Sequence, residues 1–184
     1  MNRLPGASHY NDGLSGVQVY LTNTSNMPIE ATEGEFPAIM LKKYVLRKDS
    51  GGAGEFRGGL GIWREYTVLN DNVAVNCFGD RQRFAPWGME GGLDGEPGAF
   101  YHISAETGAV TKLSAKTTGF PLKKGDIIRV FTPGAGGVGD PKKRPVEKVL
   151  QDVRENKVSR EAAETLYGVC ITEKENGQLD AVRI

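Results

Sequence analysis

Two arginines, an aspartate and a tryptophan lie in the run FGDRQRFAPWGMEGG (78–92), which also holds a proline and three glycines. A guanidinium offers a planar fork of donors that suits a phosphate or a carboxylate, so Arg81 and Arg83 are candidates for such a contact. The same residues also make a turn. Asp80 can pair with either arginine, Trp87 can cover an apolar layer, and Gly88, Gly91 and Gly92 permit a tight bend. Turn bracing accounts for most of the run and is the role assigned to Arg81. Asp80, Arg83 and Trp87 stand as candidates for binding a substrate or an interface, and Gly91 or Gly92 is expected at positive φ.

A second polar group sits in YLTNTSNMPIEATEGEFP (20–37), where Asn23, Thr24 and Asn26 precede Pro28 and the acids Glu30, Glu33 and Glu35. Short hydroxyls and amides bond their own backbone in such a turn, and they equally present donors and acceptors to a ligand or partner. Both readings stand.

Other chemistry has weaker marks. GAGGVG (134–139) fits the glycine spacing of a dinucleotide fingerprint, but Pro133 precedes it, Asp140 and Pro141 follow, and no helix opens inside it. His9 and His102 are the only histidines and share no ligand spacing, so both are expected at the surface and no metal site is assigned to this chain. Cys77 and Cys170 each stand alone in apolar runs and are expected as small buried hydrophobes.

The elements that position these residues are mostly strands. Glycine is frequent, 25 of 184 residues, and clusters at 50–61, 88–98 and 134–139 between apolar runs, the pattern of short strands joined by tight turns. Strands are expected at 17–21, 38–46, 61–69, 73–78, 99–104, 109–114 and 126–132, with Asp71 and Asn72 turning a hairpin and no helix before Pro133. Beyond it the period changes: Val146, Val149, Leu150 and Val153 recur at helical spacing, and Ser159 and Gly168 frame a second short helix. A hairpin around Glu175-Asn176-Gly177 closes the chain. The fold class is therefore mainly β (α+β), with a β domain at 1–140 and a helical arm at 141–184 packed on it. Basic and acidic residues balance at 23 each, which gives no bulk attraction to nucleic acid or an anionic membrane. With no export signal or apolar span, a cytoplasmic location is expected.

The blocks DGLSGVQVYLTNTSNMPIEATEGEFP, LRKDSGGAGEFRGGLGIWREY, DRQRFAPWGMEGGLDGEPG and TPGAGGVGDPKKRPVEKVLQDVRENKVSREAAETLYGV run in the order found at the C-terminal end of the hydantoinase B/oxoprolinase family. From about Asp12 to Val169 the chain resembles that segment. The resemblance implies part of a B-type subunit of an ATP-dependent cyclic-amide hydrolase. Its partners would be the N-terminal part of the B-type subunit and an ATP-using hydantoinase A-type subunit. ATP and a divalent metal are then expected elsewhere in the complex, because the family's metal ligands lie upstream of the matched blocks. A non-catalytic structural module of such a complex, or a component of an acetone-type carboxylase, is the alternative.

Overall fold

The computed structural model describes residues 6–17, 28–174 and 177–184. The β-branched and aromatic runs become β1 (Ile39–Leu46), β2 (Ile62–Val68), β3 (Val73–Phe78), β4 (Ala99–Ile103), β5 (Val110–Leu113), β6 (Lys116–Leu122) and β7 (Ile127–Phe131). Five of them form one antiparallel sheet in the order β1-β2-β7-β4-β5, and β3 pairs with β6 as a second, two-stranded sheet. Alternation along the strands gives the large sheet one apolar face. Val68, Phe100, Leu113 and Ile128 on that face bury against Cys77 and Leu122 of the smaller sheet.

Several expectations change. Asp71 and Asn72 do not close a hairpin, because both edges of β2 are taken by β1 and β7, and the chain crosses to the other sheet there. Asp71 instead accepts a hydrogen bond from the Lys124 amide at 3.0 Å. β6 was not expected, since KTTGFPL carries Gly119 and Pro121; it tolerates them because, among the described strands, it pairs with β3 alone and has a free edge. A helix before Pro133 was also not expected. The acid-rich stretch after Pro28 forms α1 (Ile29–Glu35), which buries none of its residues, so no apolar face marks it in the sequence. Its Glu33 carboxylate accepts a hydrogen bond from the Leu41 amide at 2.9 Å. The expected 17–21 strand falls largely outside the described residues.

After a single 3₁₀ turn (Pro141–Lys143), the helical periods become α2 (Val146–Arg154) and α3 (Arg160–Thr165), followed by the hairpin β8 (Val169–Glu173) and β9 (Leu179–Arg183). Ser159 caps α3 by accepting from the Ala162 amide at 3.0 Å, and Gly168 ends it at φ 63°. Val149, Val158, Ala163, Tyr167 and Val169 bury together with Ala53 of the first glycine cluster. Cys170 is only half-buried, unlike Cys77, because the two-stranded β8–β9 sheet covers it incompletely.

The three glycine clusters meet each other backbone to backbone. Gly52 donates to the Ala135 carbonyl at 2.8 Å, Leu93 to Ala53 at 2.7 Å, Met89 to Gly137 at 2.9 Å, and Phe56 and Val138 exchange a pair at 3.0 Å. A Cβ on Gly134 would collide with the Ser50 carbonyl, and one on Gly136 with the Trp87 carbonyl. Glycine is required at these two positions by close approach rather than by turn geometry. Gly91 has the expected positive φ, at 89°, and Gly92 does not.

A buried ionic knot ties this weave to the arm. Arg144, 1% exposed, holds Asp12 through both terminal nitrogens at 2.6 and 2.8 Å, Asp152 of α2 at 2.8 Å, and the Glu55 carbonyl at 3.0 Å. Arg57, also buried, reaches the same Asp152 oxygen at 3.3 Å, while its amide donates to Asp12 at 2.8 Å. Arg183 of β9 donates to the Arg144 carbonyl. Burial alone would raise the Asp12 carboxyl pKa, but its hydrogen bond and charge contact with Arg144 outweigh burial and hold it below the ordinary carboxylate range.

Three outcomes follow for stability. Gly134→Ala should destabilise the chain by about 2 kcal/mol or more in denaturant titration, as overpacking does, whereas Gly6→Ala, with open space around it, should be neutral. Arg144→Ala should cost about 3–5 kcal/mol, because Asp152 is left buried without this partner. The lowered Asp12 pKa adds stability that is full above the ordinary carboxylate value of about 4 and is lost as pH falls through the folded value. Asp12→Asn should therefore flatten that acid limb in a series of melting curves taken below pH 4.

Candidate functional site

The run 78–92 leaves the end of β3 and returns to β4 along the glycine weave. Its turn is held by Asp94, which accepts from the Gly88 amide at 2.8 Å, a brace absent from the sequence reading. Arg81 sits at φ 55°, and its carbonyl accepts from the Gly98 amide at 3.0 Å. The Arg81 guanidinium lies over the Trp87 ring, 4.5 Å from its centroid, and Arg83 lies 5.3 Å from the centroid of Phe84. Such cation–π contacts hold a charge in place while leaving its donors open to solvent. Among the described residues no ion pair joins Asp80 to Arg81 or Arg83, so the pairing expected from their adjacency does not form. All three are exposed.

Beside this run opens a cavity of about 640 Å³. Its floor is the glycine backbone at 134–137, and its walls carry Leu14, Val17, Ile62, Arg81, Trp87 and Met89. The volume falls in the range of small-molecule and peptide pockets, and the lining is largely apolar. Trp87 and Arg81 thus share one site, while Arg83 and Asp80 are not among its lining residues. Asn23, Thr24 and Asn26 lie outside the described residues. GAGGVG opens no helix: its residues form the cavity floor and the backbone packing, in line with the objection raised by Pro133 and Pro141.

The histidines divide. His9 is a surface residue, 3.3 Å from Glu90. His102, expected at the surface, is 14% exposed because β4 is an interior strand whose face is covered by β6, where Phe120 lies 5.1 Å from the imidazole. Its Nε2 meets Asp126 at 2.9 Å. Burial raises the Asp126 pKa, but the amides of Lys123 and Ala105 and the His102 ring together hold it below the ordinary range. Among the described residues no group of three or more His, Cys, Asp and Glu side chains could hold a metal ion. The pair therefore does not fit the family's metal, and no chemistry is derived through one. Sequence reasoning missed the charged residues of the interior: Asp12, Arg57, Arg144 and Asp152. Only Asp152 left a signal, an acid three residues after Val149 on the inward side of α2.

The geometry has relatives. Residues 5–141 match the family model Hydantoinase B/oxoprolinase. The putative B-type subunit of a D-/L-hydantoinase from a Pseudomonas species is 34% identical over 92% of this chain and 28% of its own length. The crystal structure of an ATP-dependent caprolactamase from Pseudomonas jessenii superposes with a TM-score of 0.75 at 31% identity, over 96% of this chain and 31% of that one. A nucleotide-free acetone carboxylase shares the fold, with a TM-score of 0.76 at 18% identity over 96% of this chain and 28% of that one. This chain spans less than a third of each of these proteins. It belongs to the hydantoinase B/oxoprolinase family.

Proposed function

We propose that the chain is the C-terminal part of a B-type subunit of an ATP-dependent cyclic-amide hydrolase. In this reading it acts in the cytoplasm, together with the rest of that subunit and an ATP-using A-type subunit. The observation that carries it is the family match over residues 5–141 combined with relatives named as subunits, of which this chain spans under a third. In such a complex the A-type subunit transfers a phosphoryl group to the substrate carbonyl. The B-type subunit then acts on the activated species. The hydrolase reading is preferred over the carboxylase one because the likeness to acetone carboxylase, at 18% identity, extends to the fold alone.

A scaffolding role within the same complex is favoured by a separate observation. The buried charges Arg57, Arg144 and Asp152 are paired with one another, which uses them to hold segments together rather than to meet a substrate. The two readings diverge on exchange of exposed residues at the cavity, which alters turnover only if the site takes part in the reaction.

The isolated chain should show no hydrolysis of hydantoin, 5-oxoproline or caprolactam, with or without ATP. Combined with the remaining B-type part and an A-type subunit from the same host, it should support ATP-dependent ring opening, followed as ADP and open-chain product. Turnover by the chain alone overturns the proposal, and ATP-dependent carboxylation of acetone by the assembly moves it to the carboxylase class.

A further inference from the structure

Four large apolar side chains that line the cavity stand open to solvent: Leu14 at 45% exposure, Val17 at 47%, Trp87 at 64% and Met89 at 56%. Phe84, 70% exposed, continues the apolar surface along the same run. Soluble chains scatter such residues singly, and a group of them around a recess marks an interaction surface. Two charges accompany it. Arg81 and Arg83 are stacked on Trp87 and Phe84, and among the described residues neither has a carboxylate partner. An aromatic surface bearing pre-positioned guanidinium groups has the composition of an interface centre, where Trp and Arg dominate binding energy.

The geometry points to this cavity mouth as the docking site of one partner, the part of a B-type subunit that this chain does not cover. The partner contributes an apolar segment flanked by a carboxylate. The inference rests on the reading proposed above and adds to it the surface and the chemistry of contact. Two observations favour this occupant. The relatives carry more than twice as much additional chain as this fold occupies, and that chain has to pack against some face of it. The unneutralised Arg81 and Arg83 call for acidic residues opposite, whereas a second copy of this chain would bring the same two cations to a two-fold contact.

The test places a photo-crosslinking phenylalanine analogue at Trp87, and in a control at the exposed Val110 of β5, in the chain expressed in its native host. Cross-links from position 87, and not from 110, should map to peptides of hydantoinase B/oxoprolinase type outside the region this chain covers. Cross-links only to a second copy or within the chain's own 184 residues overturn the inference, as does their absence. Trp87→Ala and Arg81→Glu should each lower co-purification of that polypeptide about tenfold, a hot-spot effect, with the melting temperature unchanged because both side chains are exposed. If the wild-type chain captures such a polypeptide and both variants capture as much, the docking surface is wrong while the proposed function stands. If the wild-type chain captures none, both fall.

Discussion

A guanidinium that is almost wholly removed from water has to find its solvation inside the protein, and Arg144 does so by drawing four distant segments together. Asp12 comes from the N-terminal region, the Glu55 carbonyl from the first glycine cluster, Asp152 from α2, and the Arg144 carbonyl is held by Arg183 of β9. The cost of burying the charge is met only when all of these are in place. The knot therefore couples the folding of the arm to that of the β sheets. The buried Tyr167 lies beside it, its hydroxyl pKa raised chiefly by burial.

The knot works because the segments it joins can approach closely. Without side chains at Gly134 and Gly136, the three glycine clusters stack at backbone contact and satisfy each other's amides and carbonyls. That weave is rigid and carries the run 78–92 as its outer layer. The cavity beside Trp87 has a floor of peptide groups and a rim of exposed apolar side chains, so its shape is set by the weave and its chemistry by the rim. Positioning residues and contact residues thus come from the same glycine-rich sequence, which is why composition alone does not separate turn from site.

Chemistry on the described surface is distributed in a way that suits a component of a larger assembly. Buried charges pair among themselves, His102 is committed to Asp126, and the arginines with open donors lie at the exposed rim. The outer face of the large sheet follows the same logic. Glu65 accepts from Arg129 at 2.6 Å and from the Trp63 indole at 3.1 Å, while Lys43 covers the Trp63 ring. Its charges are neutralised locally, which leaves the rim beside Trp87 as the place where charge is unanswered.

Local signals determined much of this protein. Alternating β-branched runs, helical spacing from Val146, the Ser159 cap and the positive φ of Gly91 are properties of a few consecutive residues, and ordered sequence blocks were enough to indicate the family. What depends on residues far apart in the chain was decided by tertiary structure. Whether Asp71 and Asn72 close a hairpin depends on β1 and β7 already holding both edges of β2. Whether KTTGFPL is a strand depends on its having one neighbour rather than two, and the exposure of His102 depends on β6 lying over it. The partner of Arg144 could not be read from spacing, because Asp12 lies 132 positions away and only the folded chain brings its carboxylate within reach of the guanidinium.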